Sequence, residues 1–95
     1  MVDIVRPRFR LGQVVATPPA LAEFATAGEA PSTYINRHVR GDWGIVDNDD
    51  QQANEDALRD GDRILSAYHL STGVKIWIIT ESDRSATTVL LPDDY

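Results

Sequence analysis

The strongest constraint on the fold is a change of hydrophobic period in the last third of the chain. From residue 62 onward, apolar and polar side chains largely alternate in DRILSAYHL and in VKIWIITE, and the residues STG separate the two segments. Alternation indicates β-strands, and a three-residue loop that ends in glycine is typical of a hairpin closed by a left-handed residue. The sequence therefore predicts a hairpin in which Tyr68 lies opposite Ile76 and Ile64 lies opposite Thr80.

Two more segments add strands to this hairpin. A second reversal at residues 82–84 leads into SATTVLLP, which predicts a fourth strand that Pro92 ends. Residues 9–16 alternate and are partly β-branched, which predicts a first strand, and Gly12 within it indicates a bulge or a close approach of another backbone. This first strand can join either edge of the sheet. The last residues, DDY, are expected to form a tail.

Three short helices are expected between the first strand and the hairpin, because start and stop signals recur there at suitable spacing. The starts are Thr17 with two prolines, Pro31, and the acidic run from Asp47, and the stops are Gly28, Gly41 and Gly61. We therefore predict an α+β fold, with one domain over residues 1–95. It has a small antiparallel sheet, built from the first strand and a three-stranded carboxy-terminal meander, with the helices on one face.

The predicted register places large apolar side chains on both faces of this sheet. One face carries Ile64, Tyr68, Leu70, Val74, Ile76 and Ile78, and the other carries Leu65, Ala67, Trp77 and Ile79. Three short helices cover one face well. We therefore expect an exposed apolar patch around Trp77, Ile79 and Val89 or Leu91, which binds a partner or forms a homodimer. The alternative is that the helices or the first strand reach around to this face.

Residue counts exclude several chemistries. The chain has no cysteine and two histidines, so disulfides, thiolate zinc sites, cysteine nucleophiles and multi-histidine zinc sites are excluded. No serine lies in a nucleophile elbow, and no glycine-rich phosphate loop occurs, so we expect no metal and no cofactor. No apolar run reaches the length of a membrane helix, and the amino terminus lacks the apolar core of a signal peptide. We therefore expect a cytoplasmic protein without membrane contact.

The chain carries a net charge of −6, and its acids concentrate between residues 42 and 62. Such a run is a solvated helix face, or it is a surface that imitates nucleic acid and occupies a basic groove on another protein. Direct nucleic-acid binding is disfavoured, because phosphates repel a chain of this charge unless its basic residues cluster. Arg6, Arg8 and Arg10 form one weak cluster of that kind.

The densest group of reactive side chains lies in RHVRGDWG, residues 37–44, and a second group occupies the loop before the last strand. Loops on a rigid scaffold commonly carry binding residues, and arginines beside acids and tryptophan form bidentate pairs and stacked contacts. The candidate binding residues are Arg37, His38, Arg40, Asp42, Trp43, Trp77, Glu81, Asp83 and Arg84. In a structural interpretation, His38 packs on a helix stripe and Trp43 closes the helix end. Asp83 and Arg84 are then ordinary turn residues.

Three blocks carry a resemblance to a known family: FRLGQVVATPPAL, RHVRGDWG and ILSAYHLSTGVKIWIITESDRSATTVLLPDDY. They resemble short proteins of bacterial plasmids and integrated elements, which carry the labels plasmid-related or type I restriction endonuclease subunit M. The similarity extends from about Phe9 to Tyr95. It implies a mobile element as the context, but no reaction and no site residues. The restriction label does not fit, because a DNA methyltransferase needs a cofactor-binding sheet and a catalytic motif.

These observations lead to one main hypothesis and two alternatives. The main hypothesis is a non-enzymatic interaction module of a mobile element that binds or inhibits a defence or DNA-handling enzyme. The first alternative is a small nucleic-acid-processing hydrolase in which His38 is hydrogen-bonded to a carboxylate within one pocket. Candidates for its carboxylate and arginine are Asp42, Glu81, Asp83, Arg37, Arg40 and Arg84. The second alternative is direct nucleic-acid binding through the amino-terminal arginines and Trp43.

Overall fold

A computed structural model describes residues 6–95 of the chain. Its elements are β1 (Gln13–Ala16), α1 (Pro18–Ala27), α2 (Pro31–Val39), α3 (Asn48–Asp60), β2 (Ile64–His69), β3 (Lys75–Thr80), β4 (Ala86–Leu90) and a 3-10 helix (Pro92–Asp94). The α+β fold is confirmed, because these helices pack against a four-stranded sheet. Residues 1–5, for which the sequence predicts no element, lie outside the described residues. Among the helices of residues 6–95, none combines the length and the apolar composition that a membrane crossing requires.

The β2–β3 hairpin has the predicted register. Tyr68 lies opposite Ile76, and the remaining pairs of the two strands follow from it. Gly73 ends the loop with a φ of 90°, and its N–H donates to the carbonyl of Leu70 at 2.8 Å. The local turn chemistry therefore determines which side chains of β2 and β3 share a face.

β1 differs from the predicted architecture in its direction. The strand order is β1-β4-β3-β2, and β1 pairs in parallel with β4, with Gln13 opposite Ala86. The sheet is therefore mixed and not purely antiparallel. A tight hairpin would force neighbouring strands to be antiparallel, whereas a long crossover leaves the parallel direction available. Gly12 makes the predicted close approach: its φ is 64°, and a Cβ there would overlap the carbonyl group of Ser85.

The helix boundaries follow the predicted signals. The Thr17 side chain caps α1 by accepting from the N–H of Ala20 at 3.3 Å, and Gly28 ends this helix with a φ of 68°. The Asp47 carboxylate caps α3 by accepting from the N–H of Asp50 at 2.8 Å. A left-handed Gly61 ends α3 in the same way as Gly28 ends α1, because glycine adopts a positive φ without a Cβ penalty.

Two clusters form the core on one face of the sheet. The larger one joins α1 and α2 to the strands and contains Ala20, Phe24, Tyr34, Tyr68, Leu70, Ile76, Ile78 and Val89. The smaller one, of Trp43, Ala57 and Ile64, lies under α3 and is flanked by Phe9. The segment before β1 thus belongs to the packed interior, because Phe9 reaches it.

The opposite face is covered more completely than the sequence predicts. Ile79 is 3% exposed and Leu90 is 6% exposed. Val89 is fully buried in the larger core cluster, and Leu91 packs against that cluster. The prediction of a large exposed patch is therefore wrong. Of the four residues named for it, only Trp77 lies on this face and is also partly exposed.

The last residues account for part of this cover, because they fold back and are not the expected tail. The ring of Tyr95 meets Trp77 edge to face, with 5.9 Å between the ring centroids. The Tyr95 hydroxyl is hydrogen-bonded to Arg63. Asp94 fixes the 3-10 helix by accepting a hydrogen bond from the Thr17 hydroxyl at 2.7 Å.

The two edges of the sheet differ. On the β2 edge, the Asn54 amide bonds both the N–H and the carbonyl of Leu65, at 3.1 and 2.7 Å. The backbone of residues 43–45 bonds both backbone groups of Ala67. On the β1 edge, Val14 and Val15 are 44% and 41% exposed. Within the described residues, the β2 edge is therefore covered and the β1 edge is open.

Candidate functional site

The residues of RHVRGDWG form a compact turn at the end of α2. The Nε–H of Arg37 donates to Asp42 at 2.7 Å, and the guanidinium lies 4.6 Å from the centroid of the Tyr68 ring. The other oxygen of Asp42 accepts from the N–H of Gly44 at 3.2 Å. The hydrogen bond from Arg37 is the main cause that lowers the pKa of Asp42. The Arg37 guanidinium and the Asp42 carboxylate therefore form an ion pair within the turn. Arg40, by contrast, is exposed at the end of α2.

Trp43 is a buried part of this turn, with 4% of its surface exposed. Its Nε1–H donates to the Glu55 carboxylate at 2.9 Å, and its ring stacks on Phe9 with 6.1 Å between centroids. Glu55 also accepts two hydrogen bonds from Arg8, at 3.0 and 2.8 Å, which lowers the pKa of this carboxyl. Trp43 therefore anchors the segment before β1 to α3, and it is not available as an exposed stacking surface. The sequence did not indicate the roles of Phe9, Arg8 and Glu55.

His38 is fully buried, and each ring nitrogen contacts a hydroxyl group. Nδ1 lies 2.6 Å from the Ser66 hydroxyl, and Nε2 lies 2.8 Å from the Thr80 hydroxyl. The Thr80 hydroxyl lies 2.7 Å from that of Thr87, which donates to the carbonyl of Leu11 at 2.8 Å. This chain of hydrogen bonds thus connects α2, three strands and the segment before β1.

The directions of these hydrogen bonds follow from proton counting. The Thr87 proton goes to the Leu11 carbonyl, so Thr80 must donate to Thr87. Thr80 then accepts from His38, which places the imidazole proton on Nε2 and makes Nδ1 an acceptor. When His38 is neutral, every polar side-chain atom in this chain of hydrogen bonds has a hydrogen-bond partner. Burial lowers the pKa of His38 to about 4, which keeps it neutral at pH 7.

The hydrolase alternative required a hydrogen bond between His38 and a carboxylate, and this contact is not found among the described residues. Both ring nitrogens are occupied by hydroxyls of Ser66 and Thr80 inside the core. Glu81 and Asp83 are exposed, and within residues 6–95 neither carboxylate is hydrogen-bonded to the His38 imidazole. No group of three or more metal-ligating side chains occurs within residues 6–95. The candidate acids therefore do not converge on His38.

The turn before β4 is held by its own side chains. Asp83 accepts from the N–H of Ser85 at 3.0 Å, as in an ordinary polar turn. Arg84 has a φ of 60°, and its guanidinium donates to the carbonyls of Ala57, Asp62, Glu81 and Ser82. Phe9 lies between the two candidate clusters, since Arg84 is 5.9 Å from its ring and Trp43 stacks on it.

A groove of about 270 Å³ lies where the start of α3 meets the partly exposed face of the sheet. We call it the Trp77 groove. Its residues include Ile45, Leu65, Trp77, Asp47, Asp50 and Lys75. The sequence offered the acidic segment and the Trp77 face as two separate surfaces. The structure brings them together, because residues 43–45 run beside β2 and carry the acidic start of α3 to the sheet.

Comparison of the chain with protein-family models, with curated proteins and with solved structures gives no match.

Proposed function

We propose that the chain is a non-enzymatic interaction module that binds a cationic, partly apolar segment of another protein in the Trp77 groove. The observation that carries this proposal is the contact between two kinds of surface. Apolar side chains of Ile45, Leu65 and Trp77 line the groove beside the carboxylates of Asp47 and Asp50. A partner with an apolar anchor next to lysine or arginine complements both surfaces.

Exposure of the apolar wall supports this assignment. Ile45 is 48% exposed and lines the same groove as the partly exposed Trp77, so the two side chains form one accessible apolar wall. Aromatic side chains in grooves are typical anchors of protein interfaces. The groove is small, so we expect it to accept one or two anchoring side chains, with the surrounding surface excluding water.

Charge supports a basic partner. Asp47, Asp49 and Asp50 are exposed at the first turn of α3. Among the described residues, no arginine or lysine forms an ion pair with these three acids. Lys75 at the groove reduces but does not cancel this negative charge. The acids therefore attract cationic surfaces such as the clefts of DNA-handling enzymes, which are built to bind phosphates.

The resemblance to short proteins of plasmids and integrated elements supports a context for this binding. A mobile element benefits from a protein that blocks a defence or DNA-handling enzyme of the host cell. We propose that class of enzyme as the partner, with a cationic segment of its phosphate-binding surface seated in the Trp77 groove against the acidic start of α3. A homodimer through the Trp77 face competes for the same surface, and it stays a prediction.

Affinity capture with matched surface variants tests the proposal. Wild-type chain, Ile45→Arg and Leu21→Arg are used as baits in lysate of a bacterium that carries the element. Leu21 is the control, because it is 49% exposed and lies on α1 away from the groove. We expect one partner that wild type and Leu21→Arg retain and Ile45→Arg loses. The purified partner should then bind Ile45→Arg roughly tenfold more weakly or worse, as expected for loss of an anchor.

Salt dependence provides the second criterion. Binding of the purified partner should weaken as salt rises, and Asp50→Asn should reduce that dependence because it removes one attracting charge. The proposal is wrong if all three baits recover the same proteins, or if the partner binds equally well at low and high salt.

A further inference from the structure

A second cavity, of about 570 Å³, lies beside the smaller core cluster, because Phe9 both lines the cavity and packs against that cluster. The segment before β1, helix α2 and the turn before β4 form its walls. Phe9, Leu11 and Val39 supply apolar surface, and Arg10, Asn36 and Arg84 supply polar groups. Its volume falls within the range of small-molecule sites, and a mostly apolar wall with few polar groups is typical of them. We call it the Arg84 cavity.

The charge of the Arg84 cavity is opposite to that of the chain. The protein has 15 acidic residues and a net charge of −6. The cavity lining contains Arg10 and Arg84, and it contains no aspartate or glutamate. Neither arginine forms an ion pair with an acid of residues 6–95. The cavity is therefore a local positive site that an anion would complement.

The guanidinium of Arg84 is fixed in place and has donors to spare. An arginine has five N–H groups, and in Arg84 the two on Nη1 and one on Nη2 point at backbone carbonyls. The Nε–H and the second Nη2–H are left without an acceptor among the described residues. A carboxylate or a phosphate takes two such hydrogen bonds from one guanidinium.

The backbone of Arg84 also has an uncommon conformation. Its φ of 60° is the one positive value of a non-glycine residue within residues 6–95. Strained backbone of this kind is retained where the surroundings hold it, and it occurs preferentially at ligand sites. The Cζ atom of the Arg84 guanidinium lies 5.9 Å from the centroid of the Phe9 ring, and both residues line the cavity.

We propose that the Arg84 cavity binds a small organic anion, whose apolar body packs on Phe9, Leu11 and Val39 and whose carboxylate or phosphate is held by Arg84 and Arg10. This site is separate from the Trp77 groove, and it does not depend on the function proposed for that groove.

An NMR titration with a pair of matched probes tests the proposal. The probes are 2-naphthoate and its neutral isostere 2-naphthamide, added to ¹⁵N-labelled full-length chain. We expect saturable shifts with naphthoate at the backbone amides of residues 9–12, Asn36 and Val39, and at the side-chain Nε–H of Arg84. The amide probe should bind at least fivefold more weakly, because it lacks the charge that the arginines recognise. Naphthyl phosphate serves as a further arm that distinguishes a phosphate from a carboxylate head group.

Three variants separate the site from general charge effects. Arg10→Gln removes a cation of the cavity, and we expect naphthoate binding to weaken roughly fivefold. Arg40→Gln is the matched control, because Arg40 is exposed at the end of α2 and does not line the cavity. Asn36→Trp places a large side chain on an exposed helix position of the cavity wall and should abolish binding without affecting the fold.

The proposal is overturned by any of four results. The first is no saturation with either anion by about 10 mM. The second is equal affinity for naphthoate and naphthamide. The third is a set of shifts centred on Trp77 instead of Arg84, which would show that the probe enters the Trp77 groove. Tighter binding of a single-stranded oligonucleotide than of either small anion would also contradict it, since that result assigns the arginines to nucleic acid.

Discussion

His38 stabilises this protein only as a neutral side chain, because its hydrogen-bond chain has a fixed direction. Sequence periodicity placed His38 correctly on the apolar stripe of α2. It could not reveal the partners, since Ser66 and Thr80 are 28 and 42 residues away. The same limit applies to Trp43, which lies in the turn after α2 while its carboxylate partner Glu55 lies on α3. A single sequence shows which side chains are buried more readily than which polar atoms meet.

Replacing Thr80 with valine tests the hydrogen-bond chain of His38. Thr80→Val keeps the volume of the side chain but leaves the His38 Nε2–H without an acceptor inside the core. We expect a loss of about 1–3 kcal/mol in the free energy of unfolding, measured by urea denaturation at pH 7. Thr88→Val, on the opposite face of the sheet, is the control and should change stability far less. NMR of the wild-type imidazole should show the Nε2–H tautomer, and an Nδ1–H tautomer would refute the assigned directions.

Glycines 44 and 61 offer a matched pair at the same scale. Both have a positive φ, of 74° and 77°. A Cβ at Gly44 would overlap the carbonyl oxygen of Ala67, whereas a Cβ at Gly61 meets nothing within 4 Å. We expect Gly61→Ala to cost about 1 kcal/mol from backbone strain alone. Gly44→Ala should cost at least about 2 kcal/mol more, and equal losses in thermal or urea unfolding would contradict the close approach.

At the level of elements, locally encoded features were predictable and the partner of β1 was not. The hairpin register follows from one loop, and the ends of α1 and α3 follow from their own caps. β1 instead pairs with β4, from Gln13 to Ala86, across most of the chain. The contact of the last residues with Trp77 also joins residues far apart in the sequence. Local patterns do not reveal such a contact, so the sequence indicated a tail. For the same reason the two cavities could not be foreseen from their separate segments.

Asn54 tests how α3 is joined to the sheet. Asn54→Ala removes two hydrogen bonds to the backbone of Leu65 and leaves both groups without their partner at a partly buried edge. We expect a loss of about 2 kcal/mol in the free energy of unfolding. Gln52→Ala on the same helix removes an exposed amide and should be nearly neutral. Hydrogen exchange of the Leu65 amide should accelerate in Asn54→Ala, and unchanged protection would argue against the bridge.

For the molecule as a whole, stability should fall in two stages as the pH is lowered. The pKa of His38 is near 4 in the folded protein and about 6.5 in an unfolded chain, so only the unfolded state gains this proton between those values. We expect a loss of about 2 kcal/mol between pH 7 and pH 5. The second stage begins as the pH enters the ordinary carboxyl range, because the unfolded chain takes up protons there while Asp42 and Glu55, whose pKa values are lowered in the folded state, stay ionised. Their stabilisation persists above that range and disappears as the pH falls through those lowered values.

Urea denaturation across this pH range, with two histidine variants, checks the assignment. His38→Gln should be less stable than wild type at pH 7, yet its stability should change little between pH 7 and pH 5. His69→Gln, at an exposed position of β2, should keep the wild-type dependence. If the wild-type curve is flat over this interval, or if His69→Gln abolishes the slope, His38 is not the group responsible.

The asymmetry between the two sheet edges limits how far this protein can polymerise. Continued strand-by-strand growth of a fibre requires a free edge on each side of every molecule. Within the described residues, the Asn54 amide and the backbone of residues 43–45 occupy the β2 side, which leaves only the short β1 side for pairing. Accidental pairing between two native copies would therefore stop at two molecules. Native molecules of this protein therefore do not form longer strand-paired aggregates, and growth beyond two molecules would first require α3 to detach from the β2 edge.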